Sequence, residues 1–197
     1  MTKIEDILKY AKSLIGIKYT WWMGGPLNKK QHPFYIDDMP TNAYLKKHGT
    51  NCTGFINILR QKAGKSVPGS GEWKGGMSGW YDYLKSKKVL KKFDDTENYE
   101  LGTLFLRRYR SIEDQGHVAV YINKYNTKTK SKGKTEGKTE GKTENKNKPL
   151  YGDIIHSFDF DKNNTGICIN RLGWSHFWDE HGFYEYAISP KDWLFSD

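Results

Sequence analysis

The sequence predicts an α+β domain in which several helices precede a mostly antiparallel β-sheet. Apolar residues recur at helical spacing in three segments up to about Ser86. From about Leu101 the pattern changes to short β-branched or aromatic runs separated by turn residues. Helices followed by strands are typical of the α+β class, and 197 residues suffice for one hydrophobic core, so we expect a single domain over residues 1–197.

The first helix is the clearest and is expected over residues 3–15. One apolar stripe runs along it, formed by Ile4, Ile7, Leu8, Ala11, Leu14 and Ile15. A loop rich in aromatic and turn-forming residues follows over 19–50, and its length is typical of a functional loop. A second helix is expected over 53–63 and a third over 78–86, because Gly64 ends the former and a flexible glycine-rich stretch precedes the latter.

Five strands are expected in the second half of the chain. Each is a short apolar or aromatic run bounded by turn residues, and the runs cover 101–107, 118–123, 151–158, 166–171 and 183–188. Such short, closely spaced strands predict a mostly antiparallel sheet.

A polar insert separates the second and third of these strands. Residues 127–148 read TKTKSKGKTEGKTEGKTENKNK, with eight Lys and three Glu, and contribute +5 of the formal net charge of +9. The insert contains no apolar residue and is expected to be a disordered, low-complexity surface loop. The rest of the chain is therefore only mildly basic, and a weak polyanion contact is assigned to the insert alone.

The chain begins with no recognisable secretory signal, and no stretch is apolar enough to span a bilayer. It has two cysteines, Cys52 and Cys168, which is too few for a disulfide scaffold. We therefore expect a reducing compartment, cytoplasmic or within a virion. Neither a cofactor nor a metal is expected, because Cys168, His176 and His181 match no standard zinc spacing.

Cys52 is expected at the start of the second helix. The backbone N–H groups and the positive end of the helix dipole stabilise a thiolate there, which favours a nucleophile with a lowered pKa. The same N–H groups could stabilise the oxyanion of a tetrahedral intermediate. A small buried residue at a helix start gives the same pattern, so Cys52 alone leaves both interpretations open.

His117 directly precedes an apolar strand and follows Gly116. A histidine held there by a glycine turn is expected to point along the sheet towards a helix packed on it, where it could pair with a thiol. Taken alone, a histidine before a strand is more often an ordinary surface residue.

Three short motifs, in order, resemble those of the NlpC/P60 hydrolases. They are NCTGF at 51–55, GHVAVYI at 116–122 and IIHS at 154–157. The run GIKYTWWMGG at 16–25 is similar to the segment that precedes the nucleophile in that family and carries a tyrosine beside the active site. The resemblance covers roughly residues 4–157. It implies a papain-like fold, with N-terminal helices packed on a mostly antiparallel sheet.

The resemblance also implies roles for individual residues. Cys52 is expected to be the nucleophile, His117 the general base and then acid, and His156 the polar residue that orients the imidazole. Tyr19 is expected near the oxyanion. Two extra residues separate Tyr19 from the glycine pair at 24–25, so Trp21 or Trp22 is expected to line the site in its place.

Two departures from the family pattern lie beside the nucleophile. The family has Asp and Ser where this chain has Asn51 and Thr53, and both replacements are close enough to leave the nucleophile in place. Thr53 is small enough to let a substrate carbonyl approach, and it is grouped with Tyr19 and Trp22 as a substrate or oxyanion residue.

The function implied is hydrolysis of an amide or peptide bond through a thioester, with cell-wall peptide (peptidoglycan) as the family's common substrate. A peptide, an isopeptide or a lipid amide is an alternative substrate. Two other functions stay open: a non-catalytic binding or virion-structural module on the same scaffold, and a related thiol amidase of the CHAP type.

Overall fold

The computed structural model describes residues 3–21, 34–94, 97–124, 152–159, 165–172 and 184–197. Within these ranges helices lead and strands follow, and the α+β class predicted from the sequence is confirmed. The helices are α1 (Ile4–Ser13), α2 (Asn42–His48), α3 (Cys52–Lys62), α4 (Met77–Ser86) and the short α5 (Pro190–Trp193), with a 3₁₀ turn at Gly71–Trp73.

The described strands form one six-stranded sheet. They are β1 (Lys91–Lys92), β2 (Leu104–Arg107), β3 (His117–Lys124), β4 (Gly152–Asp159), β5 (Thr165–Arg171) and β6 (Tyr186–Ile188). Their order across the sheet is β1-β6-β2-β3-β4-β5, and every neighbouring pair is antiparallel. The antiparallel sheet was correctly predicted.

Helix α3 lies at the centre of the fold. All nine residues from Cys52 to Arg60 are buried, since the helix packs on β3 and β4 while α1 packs against it. This burial on all sides is typical of a core helix rather than a surface helix. The start of α3 is thereby held close to the sheet.

The sheet has an apolar cluster on each face. The face towards the helices carries Val118, Val120 and Ile155, together with the buried residues of α1 and α3. The opposite face carries a second cluster, formed by Tyr99, Phe105, Ala119, Tyr121, Ile154, Leu172, Tyr184 and Ala187. Alternation along each strand therefore decides which side chains face the helices.

Several element bounds differ from those predicted. Helix α3 begins at Cys52 rather than at residue 53, and β2 begins at Leu104 rather than 101 because Gly102 (φ +84°) turns the chain. Helix α2 lies within the long loop and was missed, since Leu45 is its one buried residue and seven residues show no periodicity. Strand β1 has only two exposed residues and was also missed.

The insert at 127–148 lies outside the described residues. The strands that flank it, β3 and β4, are antiparallel neighbours in the sheet. In the described part of the chain, no helix has the length and apolar character needed to cross a membrane.

Candidate active site

Asn51 caps the start of α3. Its Oδ1 accepts hydrogen bonds from the N–H of Gly54 at 2.8 Å and from the hydroxyl of Thr53 at 3.2 Å. The first helical hydrogen bond is donated by Phe55 N–H to the Asn51 carbonyl. The N–H groups of Cys52 and Thr53 precede that bond, as expected for the first turn of a helix.

Two other segments hold the residue before the cap. Thr50 forms a parallel bridge with Tyr19, and the hydroxyl of Ser157 donates to the Thr50 carbonyl at 2.9 Å. The bridge brings the segment after α1 beside the start of α3, and the hydroxyl ties β4 to it. Both contacts are long-range and fix where Cys52 lies relative to the sheet.

Cys52 is 8% exposed, and its burial raises the pKa of the thiol to about 11. Backbone hydrogen bonds from Thr53, Val118 and Cys52 itself act in the opposite direction, as does the charge of Arg107. The helix-start effect expected from the sequence is therefore present, but burial outweighs it. The resting thiol is protonated near neutral pH, so a nucleophilic Cys52 needs a base.

His117 is the first residue of β3 and reaches the site from the end of the strand. It shares a sheet face with Ala119 and Tyr121, the face opposite the helices, whereas Val118 faces α3. His117 nevertheless lines the same cavity as Cys52 and Thr53 at the start of α3. Being the first residue of the strand, His117 can still line the cavity at the end of the sheet.

His156 lies behind His117. Nε2 of His117 is 2.8 Å from Nδ1 of His156, and Nε2 of His156 is 2.9 Å from Oδ1 of Asn170. His156 is 2% exposed, and burial lowers its pKa to about 4, although the hydrogen bond with Asn170 acts in the other direction. The imidazole of His156 is therefore neutral at physiological pH.

Phe158 packs against both imidazoles. Its ring is stacked on His156 at 5.5 Å, with an angle of 7° between the planes, and meets His117 edge-on at 5.2 Å. Phe158 and His156 are two residues apart on β4 and so share a face. These contacts restrict rotation of both rings.

A cavity of about 330 Å³ collects most of the predicted site residues. Cys52, Thr53, His117 and Tyr19 all line it, while His156 contacts it only through His117. Trp22 lies outside the described residues, and the neighbouring Trp21 lines the cavity. The four residues come from three separate segments of the chain.

In the part of the chain that the structure describes, six aromatic side chains line the cavity, among them Tyr19. Trp21 and Trp73 are 50% and 46% exposed at its edge, and Phe34, Tyr109 and Phe158 also line it. The indole N–H of Trp21 donates to Asp159 at 2.6 Å, which fixes that ring. Exposed aromatic rings beside a cavity are a common feature of ligand sites.

Arg107 is a buried cation in the cavity wall that the sequence did not single out. It is 4% exposed, forms an ion pair with Asp114, and lies opposite His117 in the β2–β3 pair. Asn170 was missed as well. Both are ordinary polar residues in strand patterns, and only the register of the sheet brings them to the two histidines.

Within the described ranges, no group of three or more His, Cys, Asp or Glu side chains is placed to hold a metal ion. His176 and His181 lie outside those ranges. Cys52 and Cys168 are both free thiols, which leaves the Cys52 sulfur available for chemistry.

No protein-family model, curated protein or solved structure matches the chain.

Proposed function

We propose that this chain is a thiol hydrolase of the papain-like, NlpC/P60 kind that cleaves an amide or peptide bond through a thioester. One observation carries the proposal. His117 lines the same cavity as Cys52, and its Nε2 lies 2.8 Å from Nδ1 of the buried His156. A nucleophile beside a base that is held by a third polar group is the arrangement that thiol catalysis requires.

The fold supports this proposal. Cys52 begins a helix that packs on an antiparallel sheet, and His117 begins a strand of that sheet. Papain-like hydrolases of the NlpC/P60 kind place their nucleophile and base at a helix start and a strand start in the same way.

Catalysis begins with proton transfer from the Cys52 thiol to His117, because the pKa of about 11 keeps the sulfur protonated in the resting site. The thiolate attacks the carbonyl carbon and forms a tetrahedral oxyanion. When this collapses, the C–N bond breaks and the leaving amine takes the proton from His117. A water molecule then gives a proton to His117 and attacks the thioester, releasing the acid and restoring the thiol.

The oxyanion has three candidate donors. The backbone N–H groups of Cys52 and Thr53 precede the first helical hydrogen bond. The third is the Tyr19 hydroxyl, whose pKa is raised well above its ordinary value by burial and by the nearby Cys52 and Asp159. Tyr19 therefore stays protonated at neutral pH and can donate to a developing negative charge.

Peptide amides of the cell-wall type are the first substrates to test. A cavity of about 330 Å³ accommodates a few side chains of a peptide, and its aromatic walls suit apolar groups or sugar rings. Of the four charged residues in the described ranges that line the cavity, Arg107 and Asp114 form an ion pair with each other, and Glu113 and Asp159 add two further carboxylates.

The test is digestion of purified muropeptides and simple peptide amides by the wild type, Cys52→Ala and Cys168→Ser. Cys168 does not line the cavity, and a serine keeps a donor in place of its thiol, which donates to Asn170, so Cys168→Ser is the matched control for loss of a thiol. We expect turnover by the wild type and the control, and a loss of at least about a thousandfold in Cys52→Ala. Turnover by a folded Cys52→Ala protein at the wild-type rate would exclude the mechanism.

A non-catalytic binding module is the second candidate, because burial gives Cys52 and Cys168 a similarly raised pKa of about 11. In such a module both thiols would react slowly with iodoacetamide near neutral pH. In a hydrolase Cys52 should react faster than Cys168, and His117→Ala should abolish the difference. Peptide mapping by mass spectrometry after timed alkylation separates the two functions.

A further inference from the structure

Three side chains from three neighbouring strands form one hydrogen-bonded row. His117 on β3 contacts His156 on β4 at 2.8 Å, and His156 contacts Asn170 on β5 at 2.9 Å. We infer that Asn170 is a positioning residue, which acts through His156 to decide which ring nitrogen of His117 carries a proton. This inference rests on the proposed function, since it concerns the same base.

The order of protons follows from the oxygen at the end of the row. The Oδ1 of an amide only accepts hydrogen bonds, so Nε2 of His156 must carry a proton and donate to Asn170. A neutral imidazole has one N–H, so Nδ1 of His156 is an acceptor. Nε2 of His117 must then donate to it, which leaves the lone pair of a neutral His117 on Nδ1.

Burial keeps His156 in the state that this order needs. Its side chain lies between β3, β5 and the ring of Phe158 and is 2% exposed, so its cationic form is disfavoured. A protonated His156 would be a donor at both nitrogens and could no longer accept from His117. Asn170 can therefore determine which nitrogen of His117 carries the proton only while His156 is neutral.

The orientation of the Asn170 amide decides the outcome. The thiol of Cys168 donates to the same Oδ1 at 3.2 Å, so this oxygen receives two donors. An amide turned by 180° would present its NH₂ group to His156 and reverse every donor in the row. His117 would then carry its proton on Nδ1 and its lone pair would face His156. In that order Nδ1 could not take the thiol proton.

For catalysis, the row keeps the basic lone pair of His117 on Nδ1. In Asn170→Leu, His156 loses the acceptor for its Nε2–H, so both neutral tautomers of each ring become populated. The fraction of molecules with a basic Nδ1 on His117 falls. Loss of the outer hydrogen-bond partner of a metal-binding histidine lowers activity by about 10- to 100-fold, and a similar loss is expected here. We expect that loss in kcat, with KM changed by less than about twofold.

The test uses protein labelled with ¹⁵N-histidine, without substrate, and records long-range ¹H–¹⁵N spectra that identify the tautomer of each ring. In the wild type we expect Nε2–H on both His117 and His156. Asn170→Leu should show mixed tautomers, while Asn170→Asp keeps an acceptor and should restore the wild-type pattern and most of kcat at a pH high enough to keep His156 neutral beside the new carboxylate. The matched control is Asn123→Leu, since Asn123 lies on β3 and contacts Asp153 instead of either histidine.

Two results would overturn the inference: an Nδ1–H on His156 in the wild type, or an Asn170→Leu protein with unchanged tautomers and kcat. If Asn170→Leu does not fold, the wild-type spectrum still decides the proton order. The spectra need no turnover, so they separate this inference from the proposed function. A chain with the expected tautomers that hydrolyses nothing would contradict the hydrolase proposal and leave the proton order supported.

Discussion

Arg107 lies directly opposite His117 in the β2–β3 pair, so the cation that stabilises the Cys52 thiolate is held on the strand next to the base. Asp114 pairs with Arg107 from the turn between the two strands. One hairpin therefore supplies both the imidazole and the guanidinium. Through Arg107 this hairpin lowers the pKa of Cys52, although burial has the larger effect and raises it.

Replacing Arg107 by a neutral residue should raise the pKa of Cys52, because the positive charge of Arg107 lowers it. Arg107→Met removes the cation and should raise this pKa above about 11, whereas Arg107→Lys keeps a positive charge and should change it less. We expect alkylation of Cys52 at pH 9 to slow by about three- to tenfold in Arg107→Met. The measurement is the rate of iodoacetamide labelling from pH 7 to 10, in a Cys168→Ser background.

Arg107→Met also leaves the Asp114 carboxylate without its cation, and this negative charge would itself raise the pKa of Cys52. The double variant Arg107→Met/Asp114→Asn removes both charges and is the control. Its labelling rate should lie between those of Arg107→Met and the wild type. An Arg107→Met protein that is labelled as fast as the wild type would contradict the electrostatic role.

The buried His156 should make stability depend on pH in a defined window. Its pKa is about 4 in the folded chain and about 6.5 when unfolded, so the unfolded state binds the proton more tightly. The stability it contributes is full above about pH 6.5, falls as the pH is lowered, and is lost by about pH 4. The change amounts to roughly 3 kcal/mol in the free energy of unfolding.

Urea unfolding at pH 7 and pH 4.5 measures this dependence. The control is His156→Gln, which cannot take up a proton and so should lose less stability between the two pH values than the wild type. The difference between the two proteins isolates His156 from the other titrating groups. Equal losses in both proteins would show that His156 is not buried in its neutral form.

The class and most elements of the fold could be predicted because they depend on local patterns. The apolar stripe of α1 and the aromatic and β-branched runs of β3 to β5 are set by burial on one face or both. Helix α2 and strand β1 could not be predicted in this way. Helix α2 buries one residue and strand β1 buries none, so neither has an apolar periodicity and tertiary contacts maintain both.

The sequence predicted the site residues whose side chains commonly take part in catalysis. It missed the residues that reach the site only through the register of the sheet. Cys52, His117 and His156 belong to types that carry catalysis, and they stand at element starts or on a strand. Arg107 and Asn170 reach the histidines only through pairings across β2, β3, β4 and β5. The raised pKa of Cys52 was also beyond the sequence, because it depends on how deeply the helix start is buried.

Ser157 should be needed to hold the start of α3. Its buried hydroxyl donates to the Thr50 carbonyl, and Ser157→Ala would leave that carbonyl without this donor. The carbonyl keeps the Thr20 N–H as a donor at 3.2 Å, so the free energy of unfolding should fall by the net value of one hydrogen bond, about 0.5–1.5 kcal/mol. The control is Ser13→Ala, whose exposed hydroxyl donates to the Tyr10 carbonyl and should cost less than about 0.5 kcal/mol.

Trp73 should contribute to substrate binding rather than to chemistry. Its ring is 46% exposed at the cavity edge, so its removal should cost little stability. We expect Trp73→Ala to raise KM for a productive substrate about tenfold and to leave kcat within twofold, as for an interaction equal in ground and transition states. Ile15→Ala, which removes an exposed side chain outside the cavity lining, is the control and should change neither constant.

Gly116 should be irreplaceable because of both its backbone conformation and its surroundings. Its φ is +74°, and a Cβ added there would lie 2.4 Å from the carbonyl oxygen of Arg107. Gly116→Ala must therefore displace the β2–β3 turn, and His117 is the next residue along the chain. We expect a loss of about 2–4 kcal/mol in the free energy of unfolding, together with a fall in kcat of at least tenfold.

Gly64→Ala separates the effect of the positive φ from the effect of the steric clash. Gly64 has a similar φ of +80°, but nothing lies within 4 Å of an added Cβ. The alanine there should cost only the backbone strain, about 1 kcal/mol, and leave kcat unchanged because α3 ends before it. If Gly116→Ala lost no more kcat than Gly64→Ala, the turn would not be positioning His117, and the link between the hairpin and the base would fail.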